Sequence, residues 1–323
     1  MNHPELKSNP KIIAWEITRR CALSCKHCRG AARDCDYADE FSTDECFKTI
    51  DALAAFSKPM IILTGGEPLM RDDIFEVATY ASEKGCRTVL ATCGHLLTLD
   101  IAAKLKAAGV MAISLSLDAA TAEAHDAFRG IDGAYQKTIE SMDHLKTVAI
   151  PFQINTTVSK LNVDDLPQIL EQAVAFGAAA MDFFFLVPTG RGSEIADLAL
   201  EPAARDKALK WIAEVAQTSS IRVKPTCAPQ YKEFETRNLK LETRNSPFSG
   251  CMGGRGFVFI SHTGVLQTCG FLDLPCGDLR VADFDFEKLY TDSEVFQNMR
   301  TLNPFAGCPA RAFARCGSYM EAE

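Results

Sequence analysis

Short apolar runs of strand character alternate with helical patterns of period 3.6 through the first ~190 residues. The runs are Ile12–Glu16, Met60–Thr64, Arg87–Thr92, Ala112–Leu117, Gln153–Val158 and Met181–Leu186. Ser42 and Glu45 have the spacing of a capping box that opens a helix with Cys46, Phe47, Ile50 and Leu53 on its apolar face. Asn162 is expected to cap a second helix, burying Leu166, Ile169, Leu170, Ala173 and Phe176. Six βα units with apolar strands predict a parallel sheet. Six is fewer than the eight of a closed (β/α)8 barrel. The expected fold is therefore α/β, a partial (β/α)6 barrel with its chemistry at the carboxyl ends of the strands; a flat doubly wound sheet has the same pattern.

Past residue 220 the pattern changes. Phe257–Ser261 and Val265–Cys269 flank His262-Thr263-Gly264, which reads as a hairpin. Cysteine, glycine and proline dominate from Cys251 onward. We expect a boundary there, with a barrel over 1–220 and a small loop-rich domain over 221–323 that needs metal to fold.

The 323 residues are 47% hydrophobic and 24% charged, which suits a globular protein with a well-buried core. A net charge of −8 argues against a nucleic-acid partner. No run reaches the ~18 apolar residues a membrane span needs, so no membrane partner is expected. Met1–Lys11 lacks the apolar segment of a secretory signal, and a cytoplasmic location is expected. In that compartment the 13 cysteines are thiols or metal ligands rather than disulfides.

Three of these cysteines, Cys21, Cys25 and Cys28, follow the first predicted strand with C-x3-C-x2-C spacing. Soft thiolates this close favour an iron–sulfur cluster or zinc. Three ligands leave one iron of a [4Fe–4S] cluster open to a cofactor, whereas structural zinc wants four.

This motif, at this place in a βα array, resembles the radical S-adenosylmethionine (SAM) superfamily. The resemblance implies that SAM chelates the open iron and that one electron cleaves it to a 5′-deoxyadenosyl radical, which takes hydrogen from the substrate. Three more segments, in the expected order, carry the likeness. Gly65-Gly66-Glu67-Pro68 is similar to the family's GGEP motif at the methionine amine. Ser114-Leu115-Ser116-Leu117-Asp118 is similar to its ribose and carboxylate strand, making Ser116 and Asp118 candidates. Asn155 and Leu186-Val187 resemble its adenine- and ribose-contacting positions, and His27 stands where an aromatic near the adenine is usual. The likeness covers roughly residues 10–190.

A second group follows. Cys251, Gly264 and Cys269 give C-x12-G-x4-C, and Cys276, Cys308 and Cys316 come after. This resembles the auxiliary-cluster (SPASM/twitch) domain of a radical SAM subset, and implies at least one auxiliary [4Fe–4S] cluster on Cys251, Cys269, Cys276 and Cys308, with Cys316 either a spare ligand or part of an incomplete second site. The family's dense C-x2-C-x5-C run is absent before Cys308, which implies either a lost cluster or a missing segment. A zinc ribbon on the same cysteines is the alternative. Cys227 is either a core thiol or faces the substrate, and Cys46 reads as packing.

Trp15-Glu16-Ile17-Thr18-Arg19-Arg20, Thr226-Cys227-Ala228-Pro229-Gln230-Tyr231 and Gly256-Phe257-Val258-Phe259-Ile260-Ser261 are similar to the radical SAM branch that edits iron-tetrapyrrole side chains in haem biosynthesis. The stretch Cys269-Gly270-Phe271-Leu272-Asp273-Leu274-Pro275-Cys276-Gly277-Asp278-Leu279-Arg280 resembles the deacetylases of that branch. This implies removal of two acetates from 12,18-didecarboxysirohaem to give iron-coproporphyrin III, with the sibling haem synthase and haem d1 reactions as alternatives. The resemblance further implies reduced ferredoxin or flavodoxin as electron donor, and a monomer.

A polycarboxylate substrate needs cations at the mouth of an apolar pocket. Arg19, Arg20, Arg29, Arg71, Arg129 and Arg191 are candidates, of which about two are expected to touch substrate. His95, His125 and His262 are candidate iron ligands or acids. Two rivals remain. A peptide-modifying SPASM enzyme often carries a leader-binding domain ahead of the first strand, which this chain does not show; a non-catalytic iron–sulfur electron carrier would leave the GGEP segment without a purpose.

Overall fold

In the computed structural model, which describes residues 9–238 and 250–321, the first strand β1 (Ile12–Thr18) leads through the cysteine loop to α1 (Thr43–Phe56). Then come β2 (Met60–Gly65), α2 (Ile74–Glu83), β3 (Arg87–Ala91), α3 (Leu99–Ala107), β4 (Val110–Ser116), α4 (Ala122–Arg129), α5 (Ala134–Thr147), β5 (Phe152–Val158), α6 (Leu166–Ala175) and β6 (Ala180–Phe185). All six expected strands and the capping box of α1 are present.

The chain continues with α7 (Pro202–Thr218), β7 (Arg222–Thr226), α8 (Lys232–Asn238), β8 (Phe257–Ile260), β9 (Val265–Gln267), β10 (Gly277–Asp278), α9 (Phe286–Asp292), α10 (Glu294–Thr301) and α11 (Pro309–Cys316). The strands form one sheet in the order β10-β9-β8-β1-β2-β3-β4-β5-β6-β7, parallel from β8 to β7 and not closed. Strand β7 was not expected from the sequence pattern. It carries Pro225, which a sheet tolerates at an edge, and β7 is that edge.

The boundary expected after residue 220 falls inside this sheet. β7 pairs in register with β6, and β8 lays Phe257 to Ile260 beside Ile12 to Trp15 of β1. The hairpin of β8 and β9 forms as its turn residues require.

Side chains alternate across each strand. Ile13, Trp15, Ile17, Ile61 and Leu63 join the core with Cys46, Ile50 and Leu53 of α1 and Ile74, Val77 and Ala81 of α2. Each such fully buried aliphatic side chain contributes about 1.5–3 kcal/mol. On the opposite face, Thr64, Ser114, Ser116, Asn155 and Thr157 line a cavity. Asn162 caps no helix through its side chain. Its amide instead donates to Asp118 O and Thr157 O and accepts from Ser159 N, tying the loop after β5 to the end of β4. The helix begins at Leu166, after a short 3-10 turn.

Candidate active site between two groups of cysteines

The loop after β1 wraps Cys21, Cys25 and Cys28 around one end of a cavity of about 260 Å³. All three are free thiols, and each sulfur receives an N–H: Leu23 N to Cys21 at 3.4 Å, Ala32 N to Cys28 at 3.4 Å and Arg129 Nη1 to Cys25 at 3.7 Å. Burial pushes the Cys21 thiol up to about 12 and raises Cys25, so the thiolates need a cationic partner to exist here.

Gly65, Gly66, Ser116, Asn155, Leu186, Val187 and His27 also line this cavity. The two glycines are required by their own chain: a Cβ would come within 2.0 Å of Thr18 O at Gly65 and 2.4 Å of Arg20 O at Gly66. Ser116 and Asn155 are register partners on β4 and β5, so the sheet itself sets their spacing. The His27 ring stacks on Phe128 at 4.6 Å, its buried Nδ1 has no hydrogen bond among the described residues, and burial lowers its pKa to about 4. It is a neutral aromatic plate at pH 7.

Three candidates sit one layer back. Glu67 is buried outside the cavity wall, where its carboxylate accepts from Thr92 Oγ1 at 2.8 Å, Cys93 N at 2.9 Å and Leu69 N at 3.1 Å. Pro68 is buried beside it and opens a 3-10 turn. Asp118 is likewise off the wall. It pairs with Arg129 and accepts from Thr157 N, so it acts on the site through Arg129. Burial opposes its charge, yet Arg129 keeps its carboxyl below the usual range. Cys93 lines the cavity and was missed in the sequence, where an isolated cysteine carries no signal; it packs against the loop cysteines.

The arginines divide sharply. Arg20 is exposed and pairs with Asp34. Arg71 is taken up by Asp73 and by Ile17 O and Phe41 O. Arg191 donates to Cys25 O at 3.0 Å and Ala32 O at 2.6 Å, which fastens the cysteine loop. Arg19 binds both oxygens of Glu16, at 3.2 and 2.9 Å. Among the six, Arg29, Arg129 and Arg191 reach the cavity wall. None of the three candidate histidines does: His125 Nδ1 accepts from Asp118 N and His262 Nδ1 meets Glu16 at 3.2 Å, while His95 stands after β3.

The C-terminal cysteines also divide. Cys227, Cys251, Cys269 and Cys308 pack around one apolar centre with Val187, Leu272, Met299 and Ala310. Their thiols lie within electrostatic reach of one another, and burial pushes Cys251 to about 11 and Cys269 to about 12, with Cys227 raised well above its ordinary value. Cys227 holds a left-handed backbone at φ +59°, a strained state for this residue type. Arg311 of α11 clamps it by donating to Cys227 O at 2.7 Å and to Leu186 and Phe185 O.

Cys276 does not join this group. It packs in the main core, with its thiol toward Leu274 O at 3.6 Å. Cys316 is exposed at the end of α11, its thiol directed at Ala312 O. The reason is the hairpin: Cys276 N bonds Leu266 O in the pairing of β9 and β10, which turns its side chain away from Cys269. Val187 and Phe271 line the cavity and also pack on the second cysteine group, so the two sites share a wall.

An open parallel sheet with this loop at its carboxyl end and a cofactor-sized cavity beside it defines a class. The chain belongs to the radical SAM superfamily, whose family model, described as "Radical SAM superfamily", matches residues 15–173. The AdoMet-dependent heme synthase of Methanosarcina barkeri (strain Fusaro / DSM 804) is 42% identical, over 97% of this chain and 95% of that protein. The Fe-coproporphyrin III synthase of the same organism is 31% identical, over 96% and 81%. In fold, the chain is similar to the crystal structure of Streptococcus suis SuiB bound to S-adenosylmethionine, with a TM-score of 0.76 at 14% identity, covering 97% of this chain and 76% of that one. The protein is thus a radical SAM enzyme of haem biosynthesis. The family implies a [4Fe–4S] cluster and SAM, and the three N–H-supported sulfurs and the orphaned His27 Nδ1 beside the cavity fit them. Among the described residues, no helix is long and apolar enough to cross a membrane.

Proposed function

We propose that this enzyme converts two propionate side chains of iron-coproporphyrin III to vinyls, the haem synthase reaction. The observation that carries this reading is the 42% identity to a haem synthase along nearly the full length of both chains, against 31% for the Fe-coproporphyrin III synthase. The deacetylase reaction expected from the Cys269–Arg280 stretch is the second reading, favoured by that local likeness alone.

Cys21, Cys25 and Cys28 would hold the cluster, and SAM bound there supplies hydrogen-atom abstraction at the substrate side chain. The cavity wall of Gly65, Gly66, Ser116 and Asn155 offers backbone and side-chain polar groups to that cofactor, and His27 offers a neutral face. Arg129 donates to Cys25 and, with Asp118 behind it, keeps a buried positive charge against the sulfur. Losing CO2 from a side chain that has lost a hydrogen atom releases one further electron for each vinyl formed. Cys227, Cys251, Cys269 and Cys308 would hold an auxiliary [4Fe–4S] cluster, which supplies one-electron chemistry next to the cavity. This ligand set replaces Cys276 by Cys227, and Cys316 is left out.

The test is anaerobic reconstitution followed by SAM, a low-potential reductant, and each tetrapyrrole in turn. Mass spectrometry is expected to find stepwise loss of two carboxyl groups from iron-coproporphyrin III with formation of vinyls. Loss of acetates from 12,18-didecarboxysirohaem would establish the second reading instead. SAM cleavage with neither tetrapyrrole changed sinks both. A reduced ferredoxin or flavodoxin is the donor class to compare with the chemical reductant.

A further inference from the structure

We infer that Arg29 is the residue that recognises a substrate carboxylate, at a cation site built between the cluster loop and the C-terminal hairpin; this rests on the tetrapyrrole reading above. Four separately encoded segments build the site. Glu16 of β1 is fully buried and meets Arg19 at two bonds, Arg29 at 3.1 Å and His262 Nδ1 at 3.2 Å. One carboxylate thus serves two guanidinium groups. Asp273 reaches Arg19 electrostatically, but its Oδ1 is held by Gln267 Nε2 at 2.6 Å. Two guanidinium groups thus share direct side-chain contact with one carboxylate, while Asp273 and Glu40 lie on the Arg19 side of the group.

Arg19 spends Nε and Nη2 on Glu16. Arg29 spends only Nη2, and its Nε and Nη1 have no hydrogen bond among the described residues. Its side chain is 19% exposed and lines the cavity beside Gly30 and Phe271. Its guanidinium carbon lies over the Phe259 ring of β8, 4.3 Å from the ring centre. The backbone of Gly270 closes over both; a Cβ there would come within 3.0 Å of Phe259 and 3.1 Å of Arg29 Cδ. Gly30 serves the same cluster, since a Cβ would meet Glu16 Oε1 at 2.9 Å.

A guanidinium held by Glu16 and the Phe259 ring, with two nitrogens unbonded at a cavity wall, suits a carboxylate. Burial with a single shared counter-charge strengthens its pull on a second anion. The wall stands on β1 and β8, three or more strands from Ser116 and Asn155 on β4 and β5. A tetrapyrrole carboxylate gripped by Arg29 is thereby anchored across the cavity from Ser116 and Asn155, beside the hairpin that leads to Cys269.

The test is an anaerobic absorbance titration with iron-coproporphyrin III and with its tetramethyl ester, on protein matched for iron content. The wild type is expected to prefer the free acid by at least about tenfold, Arg29→Gln to fall to about twofold, and Arg29→Lys to lie between, because lysine keeps the charge without the planar fork. A second measurement needs no variant: iron-coproporphyrin III, but not the ester, is expected to protect Arg29 of the wild type from phenylglyoxal, mapped by peptide mass spectrometry. Unchanged preference in Arg29→Gln, or equal labelling with and without the free acid, overturns the assignment and leaves the tetrapyrrole reading standing. A wild type that binds neither compound overturns both.

Discussion

His125 is a buried histidine whose neutral form the fold requires. Its Nδ1 accepts the Asp118 N–H, which only an unprotonated nitrogen can do. Burial lowers its pKa from 6.5 to about 4. Between those values the unfolded chain binds a proton that the folded chain does not, so stability rises with pH. The contribution is complete above about pH 6.5 and is lost as pH falls toward 4. Anaerobic urea unfolding is expected to find the wild type about 2 kcal/mol less stable at pH 5 than at pH 7 from this group, with that part of the slope absent in His125→Gln. Arg129 is the second residue to test. Removing it leaves Asp118 charged and buried, so Arg129→Gln is expected to cost about 3–5 kcal/mol in the same measurement. If the cost is under about 1 kcal/mol, the pair is not buried as described.

At the scale of elements, α1 is fastened twice through Glu45. Glu45 closes the capping box with Ser42 and also takes Arg280, at 2.5 and 3.0 Å, from the turn after β10. Arg280 further donates to Asp39 O and Glu40 O and lies 4.7 Å over the Phe41 ring. Arg280→Ala is expected to lower the unfolding midpoint and to expose Phe41 and Phe284, while Ser42→Ala costs about 1 kcal/mol through the cap alone. A double variant whose loss equals the sum of the two would mean that Glu45 does not couple them.

These elements were legible to different degrees. The cap of α1 was visible because its two residues lie three positions apart. The six strands were visible from their apolar runs. β7 was not, because Arg222–Thr226 carries proline and two cations and reads as a loop; its register with β6 supplies what its composition lacks.

At the scale of the whole molecule, the sheet carries two thiol sites on a common wall of Val187 and Phe271. Cys227→Ser is expected to lower the iron content of reconstituted protein by about four per chain, the complement of one [4Fe–4S] cluster, whereas Cys276→Ser and Cys316→Ser leave it unchanged. Iron and sulfide analysis with EPR of the reduced protein checks this, and an unaltered Cys227→Ser would return the fourth ligand to Cys276.

The sequence by itself determined what is encoded at short range: the cluster loop with Cys21, Cys25 and Cys28, the βα alternation, the hairpin around Gly264, and so the superfamily. Only the tertiary structure decided among chemically identical side chains. Four cysteines were offered for one site, and strand pairing turned Cys276 away while the clamp of Arg311 brought Cys227 in from 24 residues before Cys251. Six arginines were offered to a carboxylate, and each has a partner in the fold itself; of the three at the cavity wall, Arg29 keeps the most guanidinium nitrogens unbonded among the described residues. Which thiols meet and which guanidinium keeps nitrogens unbonded at the cavity wall depend on distances through space, and spacing along a chain does not carry them.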